Sequence, residues 1–252
     1  MQATGKSHIG KVRAQNQDAF YVSKTGPAPL PNLFVVADGL GGHNSGGIAS
    51  NGALAAFCDY FENRDMLNDF ESFLSEALTA ANLRVFDESL TTLENRGMGT
   101  TFTAATIHDE TLYFVHVGDS RIYITKRVDG VLEMEQITND HFTRTADMVA
   151  DGILTEDEAK NYPETVLSRA VGTDPDVNID RGRYFLKDAE HILMCSDGLS
   201  NMLSNEEILQ IIENNNENFE QIAEKLVEAA NDAGGRDNIT VIAIGGVNND
   251  SE

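Results

Sequence analysis

The 252-residue chain sets 18 Lys and Arg against 41 Asp and Glu, a formal charge of −23, with no basic cluster to interrupt it. That balance argues against nucleic acid and anionic membrane as partners, and any anionic substrate needs a local positive centre. No apolar span reaches the roughly 18 residues of a membrane helix and no signal peptide opens the chain, so a cytoplasmic location is expected.

Residues 7–22 read as a polar turn between two weak strands, and residues 26–31 as a proline-rich loop. Leu33-Phe34-Val35-Val36-Ala37 is an unbroken apolar run, the pattern of a buried strand, and it ends in Asp38-Gly39. The glycine-rich segment 39–47 fails the GxGxxG test because position 44 is Asn, and no Gly-Lys-Ser/Thr marks a P-loop. It is expected as a turn that lets backbone approach something closely. A helix is expected from about 48 to 61. Phe70, Phe73, Leu74, Ala77, Leu78, Ala81, Val85 and Phe86 recur at helical spacing and predict an amphipathic helix within 68–90.

Strands follow near 101–108, 111–117 and 121–126. Their short links, Asp109-Glu110 and Gly118-Asp119-Ser120, predict antiparallel hairpins, and Asp129-Gly130 marks another. The stretch 140–172 has few consecutive apolar residues and a capping box at Thr155–Glu158, so it reads as an inserted surface lid of short helices. Two strands are expected near 181–186 and 191–196. A second capping box, Ser204–Glu207, opens a helix with Ile208, Ile211 and Ile212 inward. A last helix near 217–232 and a final strand at 238–245 complete the pattern. Antiparallel strands with segregated helices indicate an α+β fold, in which two facing sheets with helix pairs outside would cover every apolar face. No linker divides the chain, so one domain over 1–252 is expected.

Asp38, Asp119 and Asp197 each stand at the end of an apolar run, and Asp237 stands just before one. Taken singly, an Asp beside Gly, Ser or Asn is an ordinary turn residue. Four with the same apolar flank suggest one shared site. A carboxylate against apolar walls needs a cation or hydrogen bonds, and an all-oxygen set points to Mg²⁺ or Mn²⁺. Arg13 is the candidate for a phosphate, since a guanidinium offers paired donors, although spacing alone leaves it an ordinary surface arginine. Cys58 and Cys195 lack Cys-x-x-Cys spacing. Cys58 to Arg64 matches the Cys-x5-Arg spacing of thiol phosphatases, but Asp-Tyr-Phe-Glu-Asn between them is too bulky to cradle phosphate. Both cysteines are expected to be buried structural thiols.

Six segments carry a resemblance: Arg13-Ala14-Gln15-Asn16-Gln17-Asp18, Val36-Ala37-Asp38-Gly39-Leu40-Gly41-Gly42-His43, Met98-Gly99-Thr100-Thr101, Val117-Gly118-Asp119-Ser120-Arg121, Cys195-Ser196-Asp197-Gly198-Leu199 and Gly235-Arg236-Asp237-Asn238-Ile239-Thr240. In this order they resemble the bacterial branch of the protein phosphatase 2C family, from about residue 7 to 245. The resemblance implies a four-layer α-β-β-α sandwich with a flap at about 140–172, and hydrolysis of phosphoserine and phosphothreonine in proteins by a hydroxide bridging two Mn²⁺ or Mg²⁺ ions. Asp38 would bridge both ions, Gly39 would offer its carbonyl, and Asp197 and Asp237 would ligate the second. Asp119 would serve a third, weaker ion, and Arg13 would hold the substrate phosphate. Asp18, Gln17 and Asn238 would lie behind the ligands. Gln17 replaces the Glu of eukaryotic relatives, and Leu40 replaces their proposed general acid, His. His43 is a candidate for that acid role, against a loop histidine that bonds locally.

The resemblance further implies phosphoprotein substrates shared with a serine/threonine kinase, and a monomer. Two rival readings stay open. A binding module would dock phosphoproteins without turnover, and a thiol phosphatase would ignore chelators.

Overall fold

The computed structural model describes residues 1–42, 44–62, 64–65 and 69–246. In chain order the first elements are β1 (Gln2–His8), β2 (Ala19–Ser23), β3 (Leu33–Ala37), β4 (Gly39–Leu40), α1 (Ser45–Phe61) and α2 (Phe70–Ser89). The middle of the chain forms β5 (Gly99–Thr100), β6 (Phe102–His108), β7 (Thr111–Val117), β8 (Arg121–Val128) and β9 (Val131–Gln136). The flap contains β10 (Phe142–Arg144), α3 (Thr145–Ala150), α4 (Glu156–Ala159) and β11 (Thr165–Leu167). The chain continues with β12 (Asp180–Phe185), β13 (Ala189–Cys195), α5 (Asp197–Ser200), α6 (Asn205–Asn214), α7 (Ile222–Asp232) and β14 (Ile239–Gly245).

Two five-stranded antiparallel sheets form the body, one in the order β12-β7-β6-β3-β2 and the other β1-β14-β13-β8-β9. Both faces of the central strands are covered, which explains runs without polar alternation. On β3, Leu33, Val35 and Ala37 join the cluster under α1 and α2, while Phe34 and Val36 face the other sheet. On β14, Ile239, Val241 and Ala243 pack under α6 and α7, while Ile242 and Ile244 face inward. The result is the expected α+β sandwich of four layers, α-β-β-α. No helix among the described residues is long and apolar enough to cross a membrane.

Several local expectations hold. The β6–β7 hairpin turns through Asp109 and Glu110, both at positive φ (46° and 56°), and β8–β9 turns through Asp129 and Gly130 (49° and 83°). Both capping boxes form, each with reciprocal side-chain and backbone bonds.

One expectation is corrected. Gly118-Asp119-Ser120 is not a hairpin turn, because β7 lies in the first sheet and β8 in the second. Facing sheets stand about 10 Å apart, and three residues at about 3.3 Å each can step across. Phe114 on β7 and Ile122 and Ile124 on β8 then meet in the core between the sheets. Other differences are smaller. The flap adds a two-stranded hairpin, β10 with β11, to its short helices. The last helix is preceded by a 3-10 segment at Asn216–Gln221, interrupted by non-helical Asn218 (φ −127°, ψ 64°). Helix α1 begins at Ser45, earlier than expected, with Gly46 against Gly39.

Candidate metal centre

Strand β3 delivers Asp38 to one end of the sandwich, and two threonines lock its backbone. Asp38 N–H donates to Thr101 Oγ1 (2.9 Å), while Asp38 O accepts from Thr100 Oγ1 and Thr101 N–H (both 2.9 Å). Gly39 follows where nothing larger fits, since a Cβ would lie 2.2 Å from Gly46 O and 2.5 Å from Gln17 O. The other sheet contributes at the same end. Asp197 follows β13 and accepts from Asn201 Nδ2 at 3.0 Å. Asp237 precedes β14; its Oδ1 accepts from Asn238 N–H (2.8 Å) and its Oδ2 from Arg13 Nη2 (2.7 Å).

Two buried residues support this end from behind. Asp18 Oδ2 accepts from Thr240 Oγ1 (2.6 Å) and Ser196 Oγ (2.9 Å). Asn238 donates to Ile9 O and Gln15 O (both 2.9 Å) and accepts from Gln17 N–H (2.8 Å). That amide therefore shapes the loop carrying Arg13. Gln17 O in turn accepts from Ser50 Oγ at 2.6 Å, tying the loop to α1.

The carboxylates sense one another. Burial, then Asp18, Asp197, Asp119 and Asp237, holds the Asp38 carboxyl well above the usual carboxylate range. Burial and then Asp237 raise Asp197, opposed by a hydrogen bond with Asp38 and by Arg13. Asp119 is pushed up to about 7 by burial, Asp197 and Asp140. Asp18 rises to about 6, chiefly through burial and against its two hydroxyl bonds. Among the described residues no three His, Cys, Asp or Glu side chains form a ready-made chelate. Like charges repel here, and Arg13 draws Asp237 toward itself.

A divalent cation nevertheless fits what is present. Asp18 Oδ1 and Asp197 Oδ1 are buried and receive no hydrogen bond, a costly state for a carboxylate oxygen. The donors are all oxygen, the preference of hard cations. Leu40, half-buried beside Gly39, has no proton to give. His43 lies outside the described residues.

Cys58 is no nucleophile in this arrangement. It sits within α1 and burial pushes its thiol up to about 11, away from thiolate. Cys195 is fully buried, with a thiol pushed up to about 12.

Sequence reasoning did not single out Thr100, Thr101, Asp140 or His141, although the first two fell inside a quoted segment. Their partners are 19 to 63 positions away, and no local pattern reports such pairing.

Together these features define an α+β sandwich protein with a carboxylate centre suited to divalent cations where its two sheets end. The profile of the family described as Protein phosphatase 2C matches residues 4–241. The chain is 32% identical, over all of both sequences, to protein phosphatase PhpP of Streptococcus pneumoniae. Its fold matches serine/threonine phosphatase Stp1 from Staphylococcus aureus at 27% identity and a TM-score of 0.81, covering 97% of this chain and 94% of that one. It also matches the catalytic domain of serine threonine protein phosphatase PstP in complex with two manganese ions, at 32% identity, a TM-score of 0.73 and 96% of each chain. The chain belongs to the protein phosphatase 2C family.

Proposed function

We propose that this chain is a metal-dependent protein serine/threonine phosphatase, acting on phosphoserine and phosphothreonine in proteins. The observation that carries the reading is the meeting of Asp38 from one sheet with Asp197 and Asp237 from the other, in a chain of this family. Asp38, the Gly39 carbonyl, Asp197 and Asp237 would hold two cations, and Asp119 a third. Bound there, divalent ions supply Lewis acidity that activates water and neutralises phosphate charge. The manganese pair in PstP supports Mn²⁺, with Mg²⁺ the alternative hard ion.

The chain's own residues supply the rest. Arg13 stands exposed at the rim and would exchange Asp237 Oδ2 for two oxygens of the substrate phosphate. Asn238 keeps the Arg13 loop in place, and Thr100 and Thr101 fix the direction of Asp38. Asp18 stays behind them, anchored by Ser196 and Thr240. Family membership also supports a single catalytic domain, acting as a cytoplasmic monomer opposite a serine/threonine kinase.

The test is hydrolysis of p-nitrophenyl phosphate and a phosphothreonine peptide with Mn²⁺, with chelator, and with Asp38→Asn. Activity that depends on Mn²⁺ and is lost in the variant is expected. An unchanged rate in Asp38→Asn overturns the assignment, and tight peptide binding without phosphate release marks a binding module instead.

A further inference from the structure

Gly118, which precedes Asp119, is held on both sides by one residue of the flap base. Gly118 N–H donates to His141 Nδ1 (3.0 Å), and His141 N–H donates to Gly118 O (2.9 Å). An accepting Nδ1 assigns the proton of a neutral ring to Nε2. That atom faces Asp180 Oδ2 at 3.2 Å, and Asp180 Oδ1 takes Arg169 Nη1 at 2.8 Å, so that Arg169 Nη1, 3.2 Å from Nε2, shares the Asp180 carboxylate with the ring and does not donate to it. His141 O accepts from Ser168 N–H at 2.8 Å. His141 immediately precedes β10, and Ser168 immediately follows β11. One buried imidazole residue therefore joins the two ends of the flap hairpin, the edge strand β12 and the peptide that aims Asp119.

The neighbours repeat the pattern. Arg121 pairs with Asp140 through Nε (3.1 Å) and Nη2 (2.7 Å), His116 Nε2 lies 3.1 Å from Asn139 O, and Ile122 N–H donates to Thr138 Oγ1 (3.1 Å). The segment entering the flap is thus laced along the crossing between the sheets. Gly118 itself sits at φ +115°, where a Cβ would press on Thr101 at 2.6 Å. Thr101 also holds Asp38. Through the Thr101 Oγ1–Ser120 Oγ bond (2.7 Å), the flap base, the Gly118–Ser120 crossing and the Asp38 backbone share one hydrogen-bonded frame.

We infer that His141 is a positioning residue that couples the flap to the Asp119 carboxylate, its Nδ1 side setting Asp119 and its Nε2 side setting the flap. The inference rests on the proposed function, because it takes Asp119 as a cation ligand. Coupling is reciprocal: a cation at Asp119 orders the flap, and an ordered flap favours the cation.

The two sides of the ring can be separated. His141→Asn keeps an acceptor near the Nδ1 position, whereas His141→Gln places its amide near the Nε2 position. Mn²⁺ titration by calorimetry reads affinity, and hydrogen exchange over 142–167 reads the flap. In the unaltered protein Mn²⁺ slows flap exchange, and Asp119→Asn removes both that protection and the weakest binding phase. His141→Gln weakens that phase roughly 5-fold or more and leaves tighter binding unchanged. His141→Asn loses the flap protection and weakens the weak phase only by the share the ordered flap contributes, less than in His141→Gln. Asp180→Asn, a milder change at a half-exposed residue, is expected to behave like His141→Asn and serves where a His141 variant fails to fold. Unaltered affinity and flap protection in these variants, or equal loss of both in His141→Asn and His141→Gln, overturns the inference. If Asp38→Asn leaves all Mn²⁺ binding intact, the proposed function is what fails.

Discussion

Arg13 Nη2 donates to Asp237 Oδ2 across 2.7 Å, joining residues 224 positions apart. The guanidinium is more than half exposed, and its proton is held more firmly chiefly by that bond to Asp237. An exposed ion pair contributes about 0–1 kcal/mol, so it exchanges readily for a doubly charged phosphate. Arg13→Ala should leave stability within about 1 kcal/mol of the parent. It should raise KM for a phosphopeptide roughly 10- to 100-fold, the loss of about 1.5–3 kcal/mol of charge-assisted bonding, with a smaller effect on kcat. Steady-state kinetics at saturating Mn²⁺ decide it, and an unmoved KM refutes the phosphate role.

Thr101 is the second target. Its Oγ1 accepts from Asp38 N–H and pairs with Ser120 Oγ at 2.7 Å. Thr101→Val keeps the shape but strands both partners, at about 1–3 kcal/mol for a buried unsatisfied group. Activity should fall by roughly 10- to 100-fold, as when the outer support of a metal ligand is removed. Thr101→Ser keeps the hydroxyl and should retain most of it. Equal activity in Val and Ser variants would show that the hydroxyl does not position Asp38.

The carboxylates set a pH dependence for chelated protein. Folded Asp18 and Asp119 titrate at about 6 and about 7, raised above an ordinary value of 3.8. Between about 4 and 7 the folded state therefore binds more protons than the unfolded state, and stability falls as pH rises through that window. These two groups thus contribute full stability below the unfolded value and lose it through the folded ones. Thermal unfolding in chelator should give a Tm that declines from pH 5 to pH 7.5. Because a cation favours ionised carboxylates, added Mn²⁺ should raise Tm more at the upper end. A Tm in chelator that climbs across the window contradicts the assignment.

Gly198 offers a steric test. A Cβ there would lie 1.9 Å from Asn238 O, on the backbone that starts β14. Gly42 has nothing within 4 Å of the corresponding point. Gly198→Ala should cost about 3 kcal/mol or more, or fail to fold, since backbone rather than a pliable side chain must move. Gly42→Ala should change stability by less than about 0.5 kcal/mol in urea unfolding. Comparable stabilities would mean that the close approach of α5 to Asn238 is not needed.

Much of this fold is written locally. Leu33–Ala37 announces a strand covered on both faces, the spacing of Phe73, Leu74, Ala77 and Leu78 announces α2, and Ser204 with Glu207 announces the start of α6. Asp38, Asp119, Asp197 and Asp237 stand out for the same local reason, three at the end of an apolar run and one just before one. What stayed hidden depends on distance across the fold. Nothing near Gly118 says that it opens a crossing between sheets and not a hairpin, because both need a short link with a positive φ. Asn238 could be placed behind the ligands by resemblance alone. Its bonds to Ile9, Gln15 and Gln17 span more than 220 positions. His141 gave no signal at all, since its partners Gly118, Ser168 and Asp180 come from three other parts of the chain.

The two sheets bring their acidic residues together from different layers: β3 leads to Asp38, while β13 and β14 flank Asp197 and Asp237. An ion gripped from both sides would act as a rivet through the mouth of the sandwich. Pulling that rivet would leave the like charges of Asp38, Asp197 and Asp237 pushing the two halves apart at this end.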